Sequence, residues 1–136
     1  MSCVLRITGE KLNINEFLTI VPEADAYWRK GEPRLLTKPN GEKHLQSGAN
    51  YCISDADFNE FELQKKDVIN YLIQNKNKII KIQQLAGLDS LYLDFGIEQR
   101  DVAMQCDSFP PKLIKLAGEL NLGIEISQYP IFEDEN

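Results

Sequence analysis

The chain has one histidine, one tryptophan and three cysteines among its 136 residues, and each scarcity removes a class of chemistry. His44 stands alone in a polar, charged loop, which is a poor support for the preorganised base that Ser–His–Asp or Cys–His catalysis needs. Cys3, Cys52 and Cys106 are widely scattered, with no Cys-x-x-Cys spacing. Such a set reads as reduced, packed thiols; it fits neither a disulfide frame nor a zinc site. Neither Gly-x-x-x-x-Gly-Lys nor Gly-x-Gly-x-x-Gly occurs, so no phosphate cradle is marked. No apolar run approaches the roughly 18 residues of a membrane span. The start, Met1-Ser2-Cys3-Val4-Leu5-Arg6, puts a charge inside the first apolar run, unlike a secretory signal. The expectation is a cytoplasmic protein without cofactor or metal.

What is present is an ordinary globular composition, 43% hydrophobic and 26% charged, with a net charge of −6. Length and composition predict one domain over residues 1–130, followed by an acidic tail over 131–136. The charge is segregated. From Arg29 to Lys43 five basic residues (Arg29, Lys30, Arg34, Lys38, Lys43) stand against Glu32 and Glu42. The rest of the chain carries the acidic excess.

Alternation of Cys3, Leu5 and Ile7 with Val4, Arg6 and Thr8 predicts a strand. Asn13 with Glu16 resembles a capping box and starts a short helix that Val21-Pro22 ends. Ala24 to Arg29 and Asn50 to Ser54 read as strands, separated by a loop or loose hairpin from Gly31 to Gly48 with a Pro39-Asn40-Gly41 turn. Val68, Ile69, Leu72, Ile73, Ile79, Ile80 and Leu85 recur on one face of a single helix at about 64–86, capped by Gly87. Leu91, Leu93, Phe95 and Ile97 form a half-buried strand, and Val102, Met104 and Cys106 its expected partner. Ser108 N-caps a helix with Pro110 and Pro111 in its first turn, and Ile124 and Ile126 belong to a last strand. The predicted fold is α+β: a two-layer sandwich, mostly antiparallel, with helices on one face and ferredoxin-like in its first part.

Three stretches together carry a family likeness. They are Ser2-Cys3-Val4-Leu5-Arg6-Ile7-Thr8-Gly9-Glu10, Tyr27-Trp28-Arg29-Lys30-Gly31 and Leu120-Asn121-Leu122-Gly123-Ile124-Glu125-Ile126-Ser127. The chain resembles the bacterial family called domain of unknown function 4279, with Tyr51 where that family tends to carry a tryptophan. The resemblance implies a small stand-alone α+β domain and brings no catalytic residue with it.

Two segments are candidates for function. Asp55, Asp57 and Asn59 match the opening ligands of a calcium loop, but Glu60 stands where the sharp turn needs glycine and Lys66 where the bidentate glutamate belongs. The same run, Asp55, Asp57, Phe58, Glu60, Phe61 and Glu62, has the aromatic centre and polar rim of a protein-binding hot spot. Its competing role is structural, with Phe58 and Phe61 fastening the following helix to the sheet. In the basic loop, Trp28, Arg29, Lys30 and Arg34 could stack a base or clamp a phosphate. The structural reading places Trp28 in the core with Arg29 or Lys30 across its edge.

The sequence is therefore read as a non-enzymatic protein-binding domain, of the immunity type that neutralises a cationic toxin. A nucleic-acid or anion-binding module using the basic loop 29–43 is the alternative, opposed by the acidic balance. A small enzyme is the second alternative; it requires a deep pocket near Cys52, Asp55 or His44.

Overall fold

The first strand, β1 (Cys3–Gly9), occupies the middle of the sheet, and its alternation is the reason. Cys3, Leu5 and Ile7 are fully buried, while Val4, Arg6 and Thr8 between them are half-buried on the other face. In this computed structural model, which describes residues 1–131, five strands and four helices follow the order β1, α1 (Ile14–Ile20), β2 (Ala26–Trp28), β3 (Ser47–Ser54), α2 (Phe61–Gln74), α3 (Lys76–Gln83), β4 (Ser90–Glu98), α4 (Pro111–Glu119) and β5 (Gly123–Tyr129). The sheet order is β2-β3-β1-β4-β5, antiparallel except for the parallel β4–β5 pair. The first four strands make the split βαβ arrangement of a ferredoxin-like unit, to which α4 and β5 add a parallel crossover. This is the α+β fold expected, with helices packed on one face. The predicted acidic tail begins at Ile131, and its residues 132–136 lie outside the described residues.

The core is the layer between that face and the helices: Leu5, Ile7, Leu91, Leu93, Phe95 and Ile97 from the sheet, Phe17, Val68, Leu72, Ile79, Ile82 and Leu113 from the helices. Asn13 starts α1 as expected, its Oδ1 accepting the N–H groups of Asn15 at 2.9 Å and Glu16 at 3.3 Å. The other face is wetter. At its centre Arg6 and Asp94 form an ion pair, with Arg6 Nε and an Nη both 2.9 Å from the carboxylate. The Ser127 hydroxyl donates to the other Asp94 oxygen at 2.6 Å. Asp94 is only 4% exposed, so these bonds compensate a carboxylate largely withdrawn from water.

Four local expectations are corrected. The helix expected at about 64–86 is two helices, because Asn75 adopts φ −120° and ψ 25° and turns its amide onto the Tyr71 carbonyl at 3.0 Å. Val68, Leu72, Ile79 and Ile82 stay buried across the break, which hides it from periodicity; Ile73 and Ile80 are instead nearly half exposed. No strand forms at Val102–Cys106, because β4 already has β1 on one edge and β5 on the other. Those residues sit in a loop closed by Gln105, whose Oε1 accepts the Arg100 N–H at 2.8 Å and whose Nε2 donates to the Glu98 carbonyl. Ser108 does not cap α4. Pro110 does, and the Ser108 carbonyl instead accepts Lys65 Nζ at 2.9 Å. Gly87 has φ +82°, but the helix before it is capped at Gln84; Gly87 serves the turn that brings the chain against Lys11.

The exit from α4 is a Schellman turn. Asn121 takes φ 55°, the Leu122 N–H reaches the Ala117 carbonyl at 2.8 Å, and the Asn121 N–H reaches Gly118. It redirects the chain into β5.

Two substitutions probe this layer. Phe95→Ala is expected to lower unfolding free energy by roughly 3–5 kcal/mol, since Phe95 is fully buried between Phe61 and Phe109. Arg6→Ala, which leaves the Asp94 carboxylate without its cation, is expected to cost about 2–3 kcal/mol, less than the loss at a fully buried pair because Arg6 is partly exposed. Urea titration of each variant with an unchanged m-value measures both.

Candidate functional site

The connection from β3 to α2 carries the acidic segment, and local hydrogen bonds fix its shape. Ser54 Oγ donates to Asp67 at 2.7 Å and accepts the Ala56 N–H at 3.2 Å. The Asp57 N–H then reaches Glu60 Oε1 at 3.0 Å, while the Glu60 N–H returns to the Asp57 carbonyl at 2.9 Å. This reciprocal turn sends the two phenylalanines in opposite directions.

Phe61 goes inward. It is 9% exposed, meets Phe95 and Phe109 edge-on, and lies under Lys65 Nζ at 4.3 Å. The structure thus assigns Phe61 to the core and removes it from the expected protein-binding set. Phe58 goes outward and is 39% exposed. Its carbonyl accepts the Glu98 N–H at 3.1 Å, and its ring lies over Gly96. A Cβ at Gly96 would stand 2.7 Å from Phe58 Cε1, so glycine is what lets the ring lie flat there. The same ring stacks on Tyr129 with centroids 4.8 Å apart and planes 24° apart.

Around this aromatic pair stand Asp57, Asn59 and Glu98, which line a small surface cleft with Phe58, and Glu60 beside them. Among the described residues no cation lies within ion-pairing distance of Asp57, Glu60 or Glu98. Two expected members stand apart. Asp55 faces the Met1 amino group at 3.8 Å, and Glu62 is paired with Lys65 at 2.7 Å. Sequence reasoning missed Glu98 and Tyr129. They end β4 and β5 and are register partners, so the parallel pairing brings both to Phe58. No local pattern announces that pairing.

The basic segment is arranged differently from the expectation. Trp28 does not enter the core: it is half-buried on the wetter face of the sheet, against Gly48, its register partner in β3. The His44 ring stacks on it, centroids 5.3 Å apart. Arg29 lies over Tyr27, 5.7 Å from its ring centroid. Gly48 belongs to β3, not to the loop, and a side chain there would collide with the indole. Three of the segment's five cations are paired within the chain: Arg29 with Glu32 at 3.6 Å, Lys30 with Glu10 at 2.7 Å and Arg34 with Glu42 at 3.4 Å. Arg29 also donates to Asn15 at 2.7 Å. An incoming phosphate would compete with a carboxylate for each of them.

Beside His44 lie two grooves of about 580 and 650 Å³, the first lined by Glu10, Lys30, Arg34, Leu45 and Gln46, the second by Arg34, Leu35, Lys38, Gly41 and Glu42. Cys52 donates its thiol to Asp55 and to the Ser54 carbonyl, both at 3.4 Å. Burial first, then the Asp55 hydrogen bond and charge, push that thiol up to about 11. Burial likewise raises Cys3 well above the ordinary thiol range. Neither is set up as a thiolate nucleophile at neutral pH. Among the described residues no three His, Cys, Asp or Glu side chains converge as a metal site, and no helix is long and apolar enough to cross a membrane.

Compared with known proteins, the chain matches no family model, no curated protein and no solved structure.

The thiols make a direct check of this geometry. Mild alkylation at about pH 8 is expected to modify one cysteine rapidly, the exposed Cys106, with Cys52 following only as pH rises toward about 11. Peptide mass mapping reads the order, and Cys106→Ser removes the fast phase.

Proposed function

We propose that this domain binds another protein through the corner formed by Phe58, Tyr129, Asp57, Glu60 and Glu98. One observation carries the reading: a stacked, half-exposed aromatic pair rimmed by carboxylates that have no internal cation. Two rings held by stacking offer large contact area at little further cost in side-chain entropy, and charged groups at the rim add steering and discrimination. The sign of that rim selects a cationic partner. A chain of net −6 also attracts such a partner at long range. A basic toxin held inactive in the cytoplasm of the producing cell fits this chemistry, and the chain then acts as an immunity-type protein without catalysis.

The reading is tested by affinity capture from the native host at low and moderate salt, using the wild type and two variants. Phe58→Ala is expected to weaken capture of the partner at both salts, by roughly 10-fold or more for a hot-spot aromatic. Asp57→Lys with Glu98→Lys is expected to slow association most at low salt, because steering is screened as salt rises. A partner retained equally by all three proteins places the interface elsewhere.

A further inference from the structure

Between α2 and the connection into α4 lies a groove of about 640 Å³, within the roughly 300–1,000 Å³ of small-molecule sites. One side of it is apolar: Ile69 from α2, then Phe109, Pro110 and Pro111. The other side carries Lys65, Lys66 and Lys112 against one lining carboxylate, Glu62. In a chain of net −6 such a concentration of cations is local. It also differs from the basic loop, where Arg29, Lys30 and Arg34 have carboxylate partners. Among the described residues Lys66 and Lys112 have no carboxylate within ion-pairing distance.

The walls are fixed by contacts of their own. Lys65 Nζ donates to the Ser108 carbonyl at 2.9 Å, which ties α2 to the connection, and Phe109 meets Phe61 edge-on with centroids 5.4 Å apart. A groove held in this way adds little ordering cost to binding. Lys65 is its central element. That side chain is only 9% exposed, and its ammonium lies 2.7 Å from Glu62 Oε1. The Glu62 side chain is 92% exposed, so its hold on Lys65 is that of a surface ion, easily surrendered to water. Its carboxylate marks the place where an anionic head meets the buried ammonium.

We propose that this groove binds a small amphipathic anion, with a carboxylate or phosphate head on an apolar body. The head displaces Glu62 from Lys65 and is shared with Lys66 and Lys112, while the body lies on Ile69, Phe109 and the two prolines. Three cations to one carboxylate select against a cationic ligand, and the apolar wall favours a ligand with a body over an inorganic ion. The site goes beyond the protein-binding reading. It shares no lining residue with the cleft at Phe58, and failure at either leaves the other standing.

The test is a residue-resolved NMR titration of the full chain with octanoate and with octyl phosphate, with octanol and octyltrimethylammonium as controls. Both anions are expected to shift amides within 62–70 and 108–112, less as salt rises, and the tighter of the two identifies the head. Lys66→Gln combined with Lys112→Gln, both at exposed positions, should raise the octanoate Kd about 10-fold or more. Glu62→Gln should lower it about 2- to 5-fold, because an internal competitor worth one exposed ion pair is removed. No shift at those residues with either anion, equal shifts with octyltrimethylammonium, or an unchanged Kd in the lysine double variant overturns the proposal. So does a response that appears only once Glu133, Asp134 and Glu135 are replaced by their amides, since the occupant is then the chain's own acidic tail.

Discussion

β4 has no free edge, and most of what distinguishes this molecule follows from that constraint. With β1 hydrogen-bonded on one side and β5 on the other, the chain leaving Glu98 cannot turn back as a hairpin. It must leave the sheet, close a loop on itself through Arg100, Gln105 and Asp107, and cross the helical face as α4. A crossover of that kind returns parallel. The Schellman turn at Asn121 makes the return sharp, and parallel register then carries Tyr129 to the same end of the sheet as Glu98. The aromatic corner is a consequence of that one connection.

Glycine supports both aromatic features of the wetter sheet face. At Gly48 the Trp28 ring, and at Gly96 the Phe58 ring, takes the space a Cβ would need. Each ring therefore lies against the sheet, with one side left for a second aromatic: His44 on Trp28, Tyr129 on Phe58. Beyond this shared design the two sites diverge in charge. Around Trp28 the cations Arg29, Lys30 and Arg34 have counter-ions, Glu32, Glu10 and Glu42; around Phe58, among the described residues, the carboxylates have none.

The strands that alternate cleanly, β1 and β4, were legible because one face is dry and the other wet, so period two survives in the residue order. The α+β class and the α1 cap were legible for similarly local reasons. What escaped was non-local. Val102, Met104 and Cys106 alternate as a strand would, and only the occupancy of β4's edges forbids it. Val68 to Ile82 keep one phase through the break at Asn75, so periodicity reports one helix where there are two. In the candidate site, Asp57, Phe58 and Glu60 could be named from composition. Phe61 could not be separated from Phe58, since a three-residue spacing puts both on one helical face, whereas Phe58 lies before the helix begins.

Ion pairing separates the two candidate surfaces. Three of the five cations in the basic segment that stands out in the sequence are paired, with Glu10, Glu32 and Glu42, and pairs of exposed ions hold little energy but do cancel one another's field at a distance. Arg6, Lys78 and Arg100 are likewise matched, to Asp94, Glu23 and Asp107. At Glu23 the Lys78 hydrogen bond holds the carboxyl below its usual range, a direction that favours the ionised pair at neutral pH. The Phe58 corner joins carboxylates that have no ion-pair partner among the described residues, Asp57, Glu60 and Glu98, to exposed aromatic area. Under the proposed reading, a cationic protein is drawn by the chain's net charge at long range and buries the two rings at short range, so attraction and specificity converge on the same end of β4 and β5.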